Sequence, residues 1–367
     1  MYIILVMKRI VICCDGTWNT PDQKDRGVMR PTNVVKMAHI VLPQAPDGIE
    51  QRVYYDKGVG TGDRIDRIFG GAFGVGLRHN VVEAYQYLSR NYDPGDEIWL
   101  FGFSRGAYTV RRVVGMVRKC GIPSNHLDEE KRAAAVEEAY GVFVRRENVD
   151  QHGADSEAAL SFRGKYNAAR IPIRFVGVWD TVGAYGIAGV LGQLTTPISK
   201  ARFHDNRLSY DVEFACQAIA IDEKRRLFSP TLWEQGPNGA MKGQVLEQRW
   251  FTGVHSNVGG GYQDSGLSDI ALYWMAARAE SRGLGLDPKW RNRIAPDEFG
   301  ELRESRTGIY RFLGKAMRVI GAQANGFEQL HHAAFDRMQW DPAGYGPENL
   351  TNYVRSPNLK IDLSAEP

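Results

Sequence analysis

Residues 97–115 read EIWLFGFSRGAYTVRRVVG. Glu97–Gly102 is a compact apolar run opened by the turn signal Pro94-Gly95-Asp96, the pattern of a short buried strand. After Gly106 the spacing changes, and Ala107, Val110, Val113, Val114 and Val117 fall near one face of a helix. Strand, tight turn, helix is the setting that thrusts a residue out of a sheet edge. The residue in that turn is Ser104. A bare Gly-x-Ser-x-Gly says little in a chain with 40 glycines, where a small residue in a loop is the ordinary reading. The flanking strand and helix favour an exposed nucleophile instead, with the glycines allowing a strained backbone and close helix–strand packing.

Outward from that stretch, buried strands are expected at Arg9–Cys14, Arg52–Tyr55, Ile173–Trp179 and Gln248–Val254. Helical patterns are expected at His79–Arg90, Ala107–Lys119 and Ser268–Ser281. Such alternation predicts an α/β fold, a mostly parallel sheet with helices on both faces. Two regions interrupt it. Residues 123–168 read as a helical insertion, with a helix around Glu129–Arg146, and residues 283–345 as a helical C-terminal region. Either is a lid over a site or surface padding.

A chain of 367 residues fits one large α/β domain or two smaller ones. An apolar fraction of 43% and a charged fraction of 24% are those of a globular protein. The net charge of +3 is too mild to argue for nucleic acid. Arg111-Arg112, Arg118-Lys119 and Lys224-Arg225-Arg226 read as solvated faces. Four cysteines are too few for a disulfide framework. Cys13 and Cys14, adjacent in a strand, point to opposite faces and are expected to be buried thiols. The opening MYIILVMKR has too short an apolar run for a signal peptide, and Met7 is a candidate alternative start. A cytoplasmic protein with no transmembrane segment is expected. The stretch GGAFGVG (70–76) lacks the lysine of a phosphate loop and reads as an apolar loop. His331-His332 is a poor metal site, because neighbours diverge on a helix.

A serine hydroxyl attacks only when a base takes its proton, an acid orients the base and donors meet the oxyanion. In a sheet of this class these parts sit at the carboxyl ends of strands. His255 ends the apolar strand RWFTGV and opens the glycine-rich HSNVGGGY, which makes it the candidate base. Asp180, ending IRFVGVWD, is the candidate acid, although a turn or cap aspartate is its plain alternative. Asp264 and Asp269 beside a helix start, and Asp222 in a charged run, are its rivals. The order Ser104, Asp180, His255 matches that of α/β-hydrolases. One oxyanion donor is expected from the amide of Arg105. The other is expected from Gly16, Thr17 or Trp18 in the turn after the first strand.

KRIVICCDGTWNT, GDEIWLFGFSRGAYTVR, FVGVWDTVGAYG, AIAIDEKRRLFSPTLW and WFTGVHSNVGGGYQDSGLSDIALYWM together resemble one family. It is the α/β-hydrolase family that includes the catalytic domain of type VI secretion lipase effectors. The likeness extends to HHAAFDRMQWDPAGYGPENL, so residues 1–367 are expected to form a single catalytic domain. The resemblance implies a serine esterase acting through Ser104, Asp180 and His255, with lipid or phospholipid acyl esters as the favoured substrate. It implies no metal or organic cofactor, peripheral membrane contact, no nucleic-acid partner, and export by a signal-independent system. The alternatives are a small-ester or thioester hydrolase without membrane action, and an inactive hydrolase-like interaction module. The run DEKRR (Asp222–Arg226) is part of the resemblance and reads as structural charge pairing.

Overall fold

The computed structural model describes residues 7–16, 19–58, 72–145, 156–183, 206–235, 243–323, 327–341 and 343–363. Its strands are β1 (Lys8–Cys14), β2 (Lys24–Asp25), β3 (Val28–Met29), β4 (Glu50–Asp56), β5 (Glu97–Phe103), β6 (Ile173–Trp179), β7 (Val212–Ala220), β8 (Val245–Phe251), β9 (Glu328–His331) and β10 (Ile361–Asp362). Eight of them form one sheet in the order β10-β9-β8-β7-β6-β5-β1-β4, while β2 and β3 make a small hairpin. Every pairing within the large sheet is parallel. The chain lays β4 on one side of β1, then crosses to build β5 and the rest on the other. Order therefore reverses between β1 and β5, the place in an open parallel sheet where strand ends leave a crevice.

The helices are α1 (Asn33–Ile40), α2 (Ala72–Asn91), α3 (Arg105–Cys120), α4 (Glu129–Val144), α5 (Glu157–Tyr166), α6 (His255–Gly259), α7 (Gly266–Ser281), α8 (His332–Trp340) and α9 (Glu348–Val354). Side chains alternate across each strand, so the sheet feeds two apolar layers. Ile10, Ile12, Cys14, Leu100 and Val178 pack with α2, α3 and α4 through Tyr85, Val113 and Val136. Val11, Cys13, Phe101, Phe175 and Phe214 pack with α1 and α7 through Val34, Leu272 and Trp274. Cys13 and Cys14 are free, buried and in different layers. A third cluster joins Ile219, Trp250 and Leu330 to α9 through Leu350 and Tyr353.

Sequence and structure part company in several places. Residues 283–345 are not a helical region. Between α7 and β9 the described chain is loop and short 3-10 turns, Trp290–Arg293 and Gly308–Arg311, and a full helix returns only with α8. Short apolar pairs separated by glycine and arginine mimic helical spacing there without a continuous face to bury. Within 123–168 the described residues carry α4 and α5, which lie on α3, with Val136, Ala139, Ala159 and Phe162 buried. Ala72 onward begins α2 rather than a loop, and residues 70–71 of that glycine-rich stretch lie outside the described residues. Arg111 is buried, not solvated, and its guanidinium donates to the Thr231 carbonyl at 2.6 Å.

Candidate active site

Ser104 stands between β5 and α3 with φ 57° and ψ −118°, a left-handed conformation that costs a non-glycine residue about 1–3 kcal/mol. Both neighbouring glycines are required by contact. A Cβ on Gly102 would lie 2.6 Å from the Gly106 carbonyl oxygen and 2.7 Å from the Ala107 Cα. One on Gly106 would lie 2.0 Å from the Cys14 carbonyl oxygen. The elbow is thus wedged between its own helix and the end of β1, and the strain is held by the fold.

The residue just past each neighbouring strand continues the ladder. Asp15 N donates to Asp56 O at 2.9 Å, Ser104 N to Trp179 O at 3.0 Å and Asp180 N to Ala218 O at 2.7 Å. Ser104 and Asp180 thereby share one carboxyl edge. His255 reaches that edge as the first residue of α6, which replaces the loop expected at HSNVG. Its Nε2 is 2.8 Å from Ser104 Oγ, and its Nδ1 is 2.6 Å from Asp180 Oδ2. A carboxylate only accepts, so Nδ1 carries the proton and Nε2 is left to accept from the serine hydroxyl. Phe103 lies against the imidazole at 4.6 Å between ring centroids, and Phe228 meets it edge-on at 5.0 Å. Burial lowers the His255 pKa, Asp180 opposes that shift, and Arg225 adds to it. The neutral imidazole a base requires is favoured.

Asp180 is fully buried, with φ 40°. Its Oδ1 accepts from the Ala220 amide at 3.0 Å and from Arg318 Nη1 at 2.6 Å; its Oδ2 accepts from Arg318 Nη2 at 3.0 Å. Burial alone would raise this carboxyl, but the Arg318 charge and the His255 hydrogen bond hold it well below the usual carboxylate range. Sequence reasoning missed Arg318. It belongs to no motif, and its only signal is the alternation in KAMRVI, where buried Arg318 and Ile320 flank exposed Val319. The run DEKRR is buried in part, contrary to a surface reading. Glu223 accepts from the His255 amide at 3.3 Å and pairs with Arg225 at 2.8 Å.

The rival acids have other duties. Asp222 is buried and accepts from the Gly253 amide at 2.7 Å and the Tyr345 hydroxyl at 3.0 Å, which braces the turn before His255. Asp269 is bonded to Lys36 and Ser265, and Asp264 to the amides of Gly266 and Glu301. His331 caps α8, and His332 pairs with Asp336.

The turn after β1 does lie beside the serine: a Cβ on Gly16 would be 3.2 Å from Ser104 Cβ. The Gly16 amide, however, is not free as expected. It donates to Asp15 Oδ1 at 2.7 Å. Asp15 in turn accepts from Thr32 Oγ1 at 2.5 Å and the Tyr55 hydroxyl at 2.9 Å. A short polar carboxylate immediately before the glycine captures the nearest amide. Thr17 and Trp18 lie outside the described residues. The Arg105 amide is in the first turn of α3, where a helix offers its N–H groups no intrahelical acceptor. Among the described residues there is no group of three or more histidines, cysteines or acids placed to hold a metal ion. Nor is any helix there long and apolar enough to cross a membrane.

Residues 8–278 match the model of the type VI secretion system Tle1-like phospholipase effector catalytic domain. The chain belongs to this family. An uncharacterized protein of Saccharomyces cerevisiae is 26% identical over 239 residues, which are 60% of this chain and 32% of that protein. An uncharacterized protein from Pseudomonas aeruginosa of known crystal structure is 20% identical, with TM-score 0.45 over 80% of this chain and 50% of its own. The Tle1 effector bound to the VgrG spike of the type 6 secretion system is 19% identical, with TM-score 0.39 over 71% of this chain and 52% of its own. The chain thus spans about a third of the first of these relatives and about half of the other two.

Proposed function

We propose that this Tle1-like domain cleaves acyl esters of lipids, phospholipids foremost, through an acyl-enzyme on Ser104. What supports the reading is the unbroken chain Ser104 Oγ, His255 Nε2, His255 Nδ1, Asp180 Oδ2, with every link within hydrogen-bond distance. Ser104 Oγ attacks the acyl carbonyl and passes its proton to His255 Nε2. Asp180, held by Arg318, stabilises the imidazolium and keeps its orientation. The tetrahedral oxyanion is met by the Arg105 amide and by a second backbone donor from the turn after β1, other than the Gly16 amide that Asp15 engages. Collapse expels the lipid alcohol, which takes the proton from His255. Water, deprotonated by the same imidazole, then releases the fatty acid and restores the serine. Export through a type VI-like system goes with family membership and belongs to the same proposal.

Ser104→Ala tests the nucleophile. The variant is expected to keep the wild-type circular dichroism, lose labelling by a fluorophosphonate probe and release no fatty acid from phospholipid vesicles. Undiminished release by a folded variant would remove Ser104 from the mechanism. Wild-type protein that cleaves short soluble esters but no vesicle lipid would leave the triad and change the substrate.

A further inference from the structure

The segment Gly308–Ile320 crosses the carboxyl edge beside the triad. It is pinned there by backbone hydrogen bonds, Ala316 N to Lys224 O at 3.0 Å and Arg226 N to Gly314 O at 3.3 Å, and by an antiparallel bridge between Lys315 and Arg225. Tyr310 meets Phe228 edge-on at 5.8 Å, and Phe228 in turn meets His255. From Met317 onward the side chains alternate: Arg318 and Ile320 point inward, Met317 and Val319 outward. The register cannot slip. Arg318 is bonded to Asp180, and Ile320 is packed in the cluster with Ile219, Trp250 and Leu330. Anchoring those two residues forces their neighbours into solvent. Phe312 is 86% exposed, Val319 64% and Met317 47%.

Apolar side chains held outward beside a catalytic edge need a reason, and the surrounding charge supplies one. From Ser305 to Phe327 the sequence contains Arg306, Arg311, Lys315 and Arg318 and no acidic residue. Arg311 and Lys315 are exposed, as is Arg226 on the stretch of chain this segment pairs with, and Arg306 is half-buried. Arg306 donates to the Arg311 carbonyl at 2.7 Å, which keeps two of these cations together. Glu304 and Glu328 bound the run on either side.

We propose that this strap is the surface by which the enzyme lies on an anionic phospholipid membrane. Phe312, Met317 and Val319 enter the acyl boundary, and Arg311, Lys315, Arg306 and Arg226 take the headgroup phosphates. Large apolar side chains ringed by basic ones are what an interfacial contact requires, and each cation near an anionic leaflet adds to the attraction. Binding there brings the ester to the edge that carries Ser104, so the inference rests on the triad reading for its purpose but not for its test.

The test uses the full chain carrying Ser104→Ala, so that lipid is not consumed, sedimented with vesicles of phosphatidylglycerol and phosphatidylcholine or of phosphatidylcholine alone. The parent should bind the anionic vesicles, more weakly as salt rises. Phe312→Ser with Val319→Ser should weaken binding by ~10–100-fold. Arg311→Glu with Lys315→Glu should abolish the preference for anionic vesicles. In the background with Ser104 intact, both pairs should hydrolyse a short soluble ester at the parent rate, since none of the four side chains touches the triad. Vesicle binding that is equal in the parent and the serine pair overturns the proposal. So does a parent that cleaves soluble ester but does not sediment, an outcome that leaves the triad reading standing. Binding lost in the serine pair while no ester is cleaved by any form sinks the triad and keeps the surface. Should the pair fold poorly, Phe312→Ser alone decides, because a side chain this exposed contributes little to the core.

Discussion

Two ends of one sheet edge treat the same side chain in opposite ways. At the ends of β1 and β4, Asp15 and Asp56 are buried and are bonded to hydroxyls, amides and carboxamides; burial raises both, Asp56 to about 7 with Glu83 and Asp15 adding to the shift. Past β6 and β7, Asp180 and Glu223 are as buried, yet both are lowered, because Arg318 and Arg225 outweigh the loss of solvent. Burial disfavours the charged form everywhere, and here the partner cations reverse the sign. The division suits the chemistry proposed. An anion is needed beside His255 to stabilise the imidazolium.

The largest expected effect comes from neutralising the charged end. Asp180→Asn should cost on the order of 10⁴ in kcat, since the carboxamide leaves the imidazole in the wrong tautomer. Asp222→Asn, on the same edge but away from the imidazole, should change kcat less than about tenfold. Steady-state rates on a soluble ester rank the two, and the reverse ranking would reassign the acid.

Next in size is the cation that sets the contrast. Arg318→Gln should lower kcat by roughly 10–10³-fold, the scale of losing one preorganised electrostatic partner. It should also move a pKa. Without the guanidinium, Asp180 bears its full negative charge toward His255, which favours the imidazolium. The base then becomes available only at higher pH, and the rising limb of kcat/KM shifts to the alkaline side. Arg318→Lys should return the limb toward its original position while recovering kcat only in part, because one ammonium cannot satisfy both carboxylate oxygens. An unmoved limb in Arg318→Gln would reduce Arg318 to a structural tie.

How much of this was legible beforehand follows from how local each signal is. Ser104 announced itself because strand, glycines and helix lie within about twenty residues of one another, and both glycines answer to contacts with the helix start and β1. Asp180 and His255 were legible as strand-end residues, since parallel strands converge on one edge. β7 went unassigned as a strand although VEFACQAIA is apolar apart from Glu213 and Gln217. Arg318 could not be read at all. It lies 138 residues from Asp180, in a segment whose alternation is too short to distinguish strap from loop. The Gly16 amide misled for a similar reason. Asp-Gly signals a turn, but not whether the aspartate will cap its own neighbour.

The smallest effect should come from the end that lacks a partner cation, and it is one of stability. Asp56 Oδ2 is buried without a hydrogen-bond partner, as a carboxyl that resists ionisation can tolerate. With a folded pKa of about 7 and an ordinary value near 4 unfolded, the folded protein holds a proton that the unfolded chain has released. Stability from this residue is therefore present below about pH 4 and is lost as pH rises toward 7. Asp56→Asn removes the loss. The variant should gain on the wild type by roughly 2–4 kcal/mol between pH 4 and pH 8, read from urea unfolding at several pH values. Soluble-ester turnover at neutral pH should stay within about twofold, as Asp56 touches none of Ser104, His255 and Asp180. Parallel stability curves for the two proteins would mean that Asp56 ionises normally, and the contrast between the two ends of the edge would then reduce to Asp15 alone.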